Sequence, residues 1–320
     1  MYANQAIDAA SREGAAELLD HGMVYFDTSA WNWLADHPNR EALIASLRTR
    51  RAVVFGSVIS VAEILMTPSL ERRNALCSAI QAVIEDRALL EPPLAVLKAA
   101  AEAILRGDNE VLLQQTAPGR TLLGYLKLPN QADRDAIGAW LNNSEDNLER
   151  FRAALEPPEP SRTRYHAQEI IGLDGFRRLL LELPPSVELG LSLSQVRDLC
   201  DRSDIGRVMA GTLGAVITQV MGRSPKRKSG HKRPGASDLW QAVYLGVTEV
   251  FVTSDERQLE VVGEVSAVLT YPRCVVHTTE FLAGLDTARV CAGPACQVCG
   301  CVLGSPSGGP AWRSVHARAA

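Results

Sequence analysis

No stretch of the chain is both apolar enough and long enough to span a bilayer. The nearest, "VMAGTLGAVITQVMG" (Val208 to Gly222), is short and carries Thr and Gln, so it predicts a buried helix. The N-terminal stretch "MYANQAIDAASREGAAELLDHG" has mixed charge and lacks the apolar block of a secretory signal. These two absences lead us to expect a cytoplasmic protein. A strong charge of one sign is also missing. The formal net charge is −4 and the pI about 5.9, which argues against a general polyanion binder and leaves room for a local basic patch. Cysteine is sparse over most of the length. Cys77, Cys200 and Cys274 stand alone in apolar surroundings and read as reduced core residues. The other four crowd into "CAGPACQVCGC", Cys291 to Cys301. Only one pair there has C-x2-C spacing, and the last pair is too tight for a zinc knuckle. Even with His316 downstream, we expect a disordered Cys/Gly/Pro-rich tail over 287–320 in preference to a zinc site.

What is present supports a core. The 320 residues are 46% hydrophobic and 22% charged, more than one small domain needs and far from a disordered composition. Residues 1–22 space Ala, Leu and Ile for one helical face and predict an appended helix, with Met23 as an alternative start. From residue 24 the pattern alternates. "VYF" is a strand, "AWNWLAD" and "NREALIASLRTR" are helical, and "AVVFG" is a second strand. "SVAEILM" then begins a helix, with Ser60 as the expected N-cap, that ends near Pro68. Alternation resumes after residue 235. "SDLWQAVYLG" reads as a helix capped by Ser237, followed by strand "EVFVTS", helix "DERQLEVVG", strand "CVVHT" and helix "TEFLAGL".

Between these halves the chain is helical, over about 71–87, 93–106, 131–140, 144–155, 164–182 and 193–221. The expectation is therefore an α/β fold with a parallel sheet flanked by helices. Its core would be residues 23–69 and 235–286, with an all-helical insertion over 70–234 that ends in a basic loop.

Ligands of open parallel sheets bind beyond the carboxyl ends of the strands. Asp27 follows "VYF" directly, and Asp255 follows "VFVTS". Glu63 lies one turn into the helix after "AVVF", and Asp238 opens its own helix. Gathered together, four carboxylates repel unless protonated or neutralised by a cation. A hard divalent ion with oxygen ligands meets that need. Each acid also has a plainer role open to it as a turn former or helix cap. Glu63, set in an apolar helix face, is the hardest to explain that way.

The ordered set "FDTSAW", "SVAEIL", "SDLWQAVYLG" and "VFVTSDERQL" resembles the PIN domain, a nuclease fold of toxin–antitoxin ribonucleases and RNA-processing enzymes. The resemblance implies a PIN-like, Rossmann-like sheet and a metal-dependent endoribonuclease. It implies that Asp27, Glu63, Asp238 and Asp255 hold Mg²⁺ or Mn²⁺, with Thr253 supporting the site. It also implies RNA as substrate and, for a toxin, an antitoxin protein as partner; a homodimer is compatible with it. The long middle departs from the compact pattern of a PIN toxin.

Lys226, Arg227, Lys228, Lys232 and Arg233 precede Asp238 closely and would hold RNA phosphates without sequence preference; the plainer alternative is a solvated loop. Trp31 and Trp33 could stack bases, but core packing is the expectation. His277 ends the last strand. Two other functions remain open. One is a non-catalytic PIN-like module that binds RNA or protein. The other is an aspartate-nucleophile phosphatase, since "FDTSA" resembles the haloacid-dehalogenase motif with Ser29 where that family has a second Asp.

Overall fold

In a computed structural model of the chain, residues 23–49, 53–84, 89–107, 131–155, 174–221, 235–266, 268–269 and 273–287 are described. Four short strands form one parallel sheet: β1 (Met23–Phe26), β2 (Val53–Phe55), β3 (Val250–Thr253) and β4 (Cys274–His277). The order is β2-β1-β3-β4. In register, Val24 pairs with Val54 on one side and Val250 on the other, and Thr253 pairs with His277. All four strands lie where the β-branched runs predict them.

The sheet is buried on both faces. Val24 and Phe26 of β1 point into one core and Tyr25 into the other, as the period of two requires. The first core is closed by α1 (Thr28–Asp36), α2 (Arg40–Thr49), α3 (Val58–Leu65), α4 (Leu70–Ile84) and α13 (Thr278–Thr287). The second core takes α5 (Pro93–Arg106), α7 (Asp174–Leu181), α9 (Leu193–Arg202), α10 (Asp204–Met221) and α11 (Ala236–Gln241). It also takes the 3₁₀ turn Ala242–Gly246 and α12 (Glu256–Ser266). A short α8 (Pro184–Glu188) packs against α5. The described helices between residues 70 and 221 thus share the sheet's own cores, because their apolar faces cover strands too short to bury themselves.

Helix α6 (Gln131–Leu155) packs against both α3 and α11. It runs unbroken through a span where the sequence suggests two helices. Conversely, the single helix expected over 193–221 breaks at Ser203. That residue is extended (φ −120°, ψ 125°), and its hydroxyl accepts from Gly206 N to start α10. Two caps also differ from expectation. Ser57, not Ser60, caps α3, accepting from Ser60 N at 3.1 Å. Gly235 stands at the N-cap of α11, so Ser237 lies inside that helix. Among the described residues, no helix is long and apolar enough to cross a membrane. Cys77, Cys200 and Cys274 are free and buried, as expected.

Candidate functional site

The switch in strand order falls between β1 and β3, since β1 connects outward to β2 on its other side. This is the crevice where open parallel sheets take ligands. Asp27 and Thr253 end those two strands. Asp27 is only 1% exposed. Its backbone N–H still bonds Val252 O on β3, at 3.1 Å. Its carboxylate caps α1, Oδ1 accepting from Ala30 N at 2.7 Å. Thr253 Oγ1 donates to Oδ2 at 2.6 Å, and Ser29 Oγ lies 2.9 Å from both oxygens. Ser254 N in turn donates to Ser29 Oγ at 2.7 Å. The carboxylate is therefore clamped between two strand ends by hydroxyls.

Glu63 reaches the same edge from α3. Thr28 Oγ1, one residue past Asp27, donates to Glu63 Oε2. Gln241 Nε2 donates to the same oxygen at 3.2 Å. Asp238 comes from the first turn of α11, where its Oδ2 accepts from Gly235 N at 2.9 Å. Gln258 ties this helix to the strand end: its Nε2 donates to Asp238 O at 3.3 Å, while its Oε1 lies 3.1 Å from Thr253 Oγ1.

Asp238 acts on both of the other two acids. Burial raises the pKa of Asp27 to about 7, against hydrogen bonds from Thr253, Ala30 and Ser29, and the negative charge of Asp238 pushes it the same way. Burial also raises Glu63, and Asp238 adds to it; hydrogen bonds from Thr28, Ser237 and Gln241 oppose the rise. No described cation is paired with either Asp27 or Glu63.

Asp255 sits on the same edge, its backbone N–H donating to Thr253 Oγ1 at 3.0 Å. Its carboxylate does local work. Oδ1 caps α12 by accepting from Arg257 N at 2.8 Å and Gln258 N at 3.3 Å. So Asp238 comes into electrostatic reach of both Asp27 and Glu63, and the fourth sequence-predicted acid, Asp255, is a neighbour whose Oδ1 caps its own helix. Among the described residues, no three His, Cys, Asp or Glu side chains are grouped so as to hold one metal ion. Lys226, Arg227, Lys228, Lys232 and Arg233 lie outside the described residues, as do residues 1–22 and the cysteine-rich tail.

Trp31 is fully buried against Phe26, ring centres 5.0 Å apart, as core packing predicts. Trp33 packs partly against the same core and stacks on His37. His277 is half-buried, with Nδ1 2.8 Å from Thr279 Oγ1. Sequence reasoning did not single out Thr28, Gln241 or Gln258, and noted Ser29 only as a departure from a phosphatase motif. Thr28 and Ser29 follow Asp27 directly, and Gln241 stands three residues beyond Asp238. A search for polar residues one helical turn from each acid would have found Gln241. Comparison with protein-family models, curated proteins and solved structures finds no match.

Proposed function

We propose that this chain is a metal-dependent endoribonuclease built on a PIN-like core, with the helices of its middle section as an elaboration. The observation that carries it is the gathering of Asp27, Glu63 and Asp238 at the strand switch point, two of them desolvated and no described cation against those two. Buried carboxylates whose pKa is raised by desolvation and by a neighbouring acid are costly, and such costs concentrate at functional sites. The donor set is all oxygen and suits Mg²⁺ or Mn²⁺. Mg²⁺ commonly uses one or two carboxylates and completes its shell with water and substrate phosphate, so a ready-made three-acid cage is not required.

Asp27, Glu63 and Asp238 would hold the ion, which when bound would activate water and stabilise the departing oxygen. Thr253 and Ser29 keep Asp27 from rotating away. Thr28 does the same for Glu63. Asp255, with Oδ1 spent on its cap, adds negative charge at the rim. The segment Lys226 to Arg233 would neutralise phosphates of the RNA.

A second function has an observation in its favour. Asp27, Asp238 and Asp255 each accept from a backbone N–H at a helix start, which is enough to retain them in a non-catalytic binding module. Glu63 separates the two, because it caps nothing. An aspartyl-phosphate mechanism is disfavoured because Ser29 stands where that family's motif has its second Asp. The deciding assay is internal cleavage of single-stranded RNA with Mg²⁺ or Mn²⁺. We expect wild type to cut and Glu63→Gln to be about 100-fold slower or worse. Equal cutting by both refutes the site; a wild type inert with several metals and RNAs favours the binding module.

A further inference from the structure

Behind the acids lies a fully buried polar network that the chemistry above does not use. We propose that Gln241 is a positioning residue that fixes the Glu63 carboxylate, with its own amide oriented by the hydroxyl of Tyr25. What Glu63 is held for rests on the nuclease proposal.

Tyr25 and Gln241 are 0% and 1% exposed. Tyr25 Oη donates its single proton to Gln241 Oε1 at 2.9 Å. With that proton committed, Ser57 Oγ at 2.9 Å and Ser60 Oγ at 3.2 Å face the phenol oxygen as donors. The amide then has only one orientation. Oε1 faces Tyr25, and Nε2 must face Glu63 Oε2. Turned over, the amide would set its oxygen 3.2 Å from a carboxylate oxygen, two acceptors in contact with no proton between them.

The phenol is itself held. Its ring packs between Tyr244, 4.8 Å away, and Phe251, 5.0 Å away. Elementary periodicity explains how the relay is delivered. Tyr25 lies two residues before Asp27 on the same strand. Gln241 lies three residues after Asp238 on the same helix. One strand and one helix thus each supply an acid and a member of the relay that holds the third acid. Burying a phenol, two serines and an amide costs free energy that apolar side chains of similar size would not. The network caps only the start of α3, through Ser57. Orienting Glu63 is what the remainder achieves.

The test uses the full chain and two readouts. In the first, Mn²⁺ affinity is read from the electron paramagnetic resonance signal of free Mn²⁺, with thermal melting followed on the same metal-free samples. Gln241→Leu should weaken Mn²⁺ binding about tenfold while still melting cooperatively, the loss typical of removing a ligand's hydrogen-bond partner. Tyr25→Phe should give a smaller loss in the same direction. Wild-type affinity in Gln241→Leu overturns the inference and leaves the nuclease proposal standing. A wild type that binds no Mn²⁺ overturns the nuclease proposal itself. The second readout needs no metal: the side-chain ¹⁵N–¹H signals of Gln241. They should shift in both Tyr25→Phe and Glu63→Gln; signals unmoved in either overturn the relay, even if Gln241→Leu fails to fold.

Discussion

Replacing Asp27 by Asn isolates the cost of placing a charge at the buried strand end. The carboxyl titrates near 7 in the folded protein, against an ordinary 3.8, chiefly because burial disfavours the charged form. The folded state therefore holds this proton more tightly than the unfolded chain. Its contribution to stability is most favourable below about pH 4 and is lost as pH rises toward 7, levelling off above that. A rise of about three pH units, at ~1.4 kcal/mol each, sets a ceiling of ~4 kcal/mol. Between pH 5 and pH 8 roughly 2 to 3 kcal/mol of it should be expressed. Asn keeps an acceptor for Ala30 N and is as good an N-cap as Asp, so the local structure survives. The metal-free Asp27→Asn protein should thus gain roughly 2 to 3 kcal/mol on wild type as pH goes from 5 to 8. Urea denaturation at the two pH values measures this directly. Glu63 titrates in both proteins and largely cancels. At pH 8 a divalent cation at a hundredfold excess over its Kd should restore ~2.7 kcal/mol to wild type and much less to the variant. Parallel stability curves for the two proteins would refute the assignment of a desolvated carboxylate at this position.

Other perturbations follow from the same geometry. Gly206→Ala should cost roughly 3 kcal/mol in denaturant unfolding, because a Cβ there would meet the backbone carbonyl group of Leu199, its carbon 2.8 Å away, and force α9 from α10; an unchanged midpoint would disprove the close approach. Asp255→Ala should cost about 1 kcal/mol by uncapping α12. Asp255→Asn, which keeps the cap, should impair RNA cleavage less than Glu63→Gln does; an equal loss would make Asp255 a full member of the acidic set. Neutralising Lys226, Arg227, Lys228, Lys232 and Arg233 together should weaken RNA binding and flatten its dependence on salt, as measured by fluorescence anisotropy, and unchanged binding would remove that segment from the interface.

Local pattern carried the sheet. "VYF", "AVVF", "VFVT" and "CVVH" are short β-branched or aromatic runs bounded by turn and cap residues, and each became a parallel strand. The acids at their ends were legible for the same reason, since a strand end is a position along the chain. The caps were harder. Ser57 and Ser60 are three residues apart, and either could accept the bond that starts a helix; what decided is that Gly56 and Ser57 still pair with Leu90 while Ser60 has already turned. The break at Ser203 is similar, because nothing in the apolar spacing of 193–221 shows that two helices must part there.

Chain order and side-chain period alone determined which acids sit at strand ends or first helical turns, and that the sheet is parallel and covered on both sides. They could not determine which oxygens meet. That Thr253 grips Asp27 from 226 residues away, and that Tyr25 turns an amide toward Glu63 through Gln241, depends on β1 lying between β2 and β3. Such contacts arise from strand order and helix packing, which bring distant residues to one edge. Only the folded structure decides them, because a hydrogen bond is set by distances of a few tenths of an ångström that no spacing along the chain encodes.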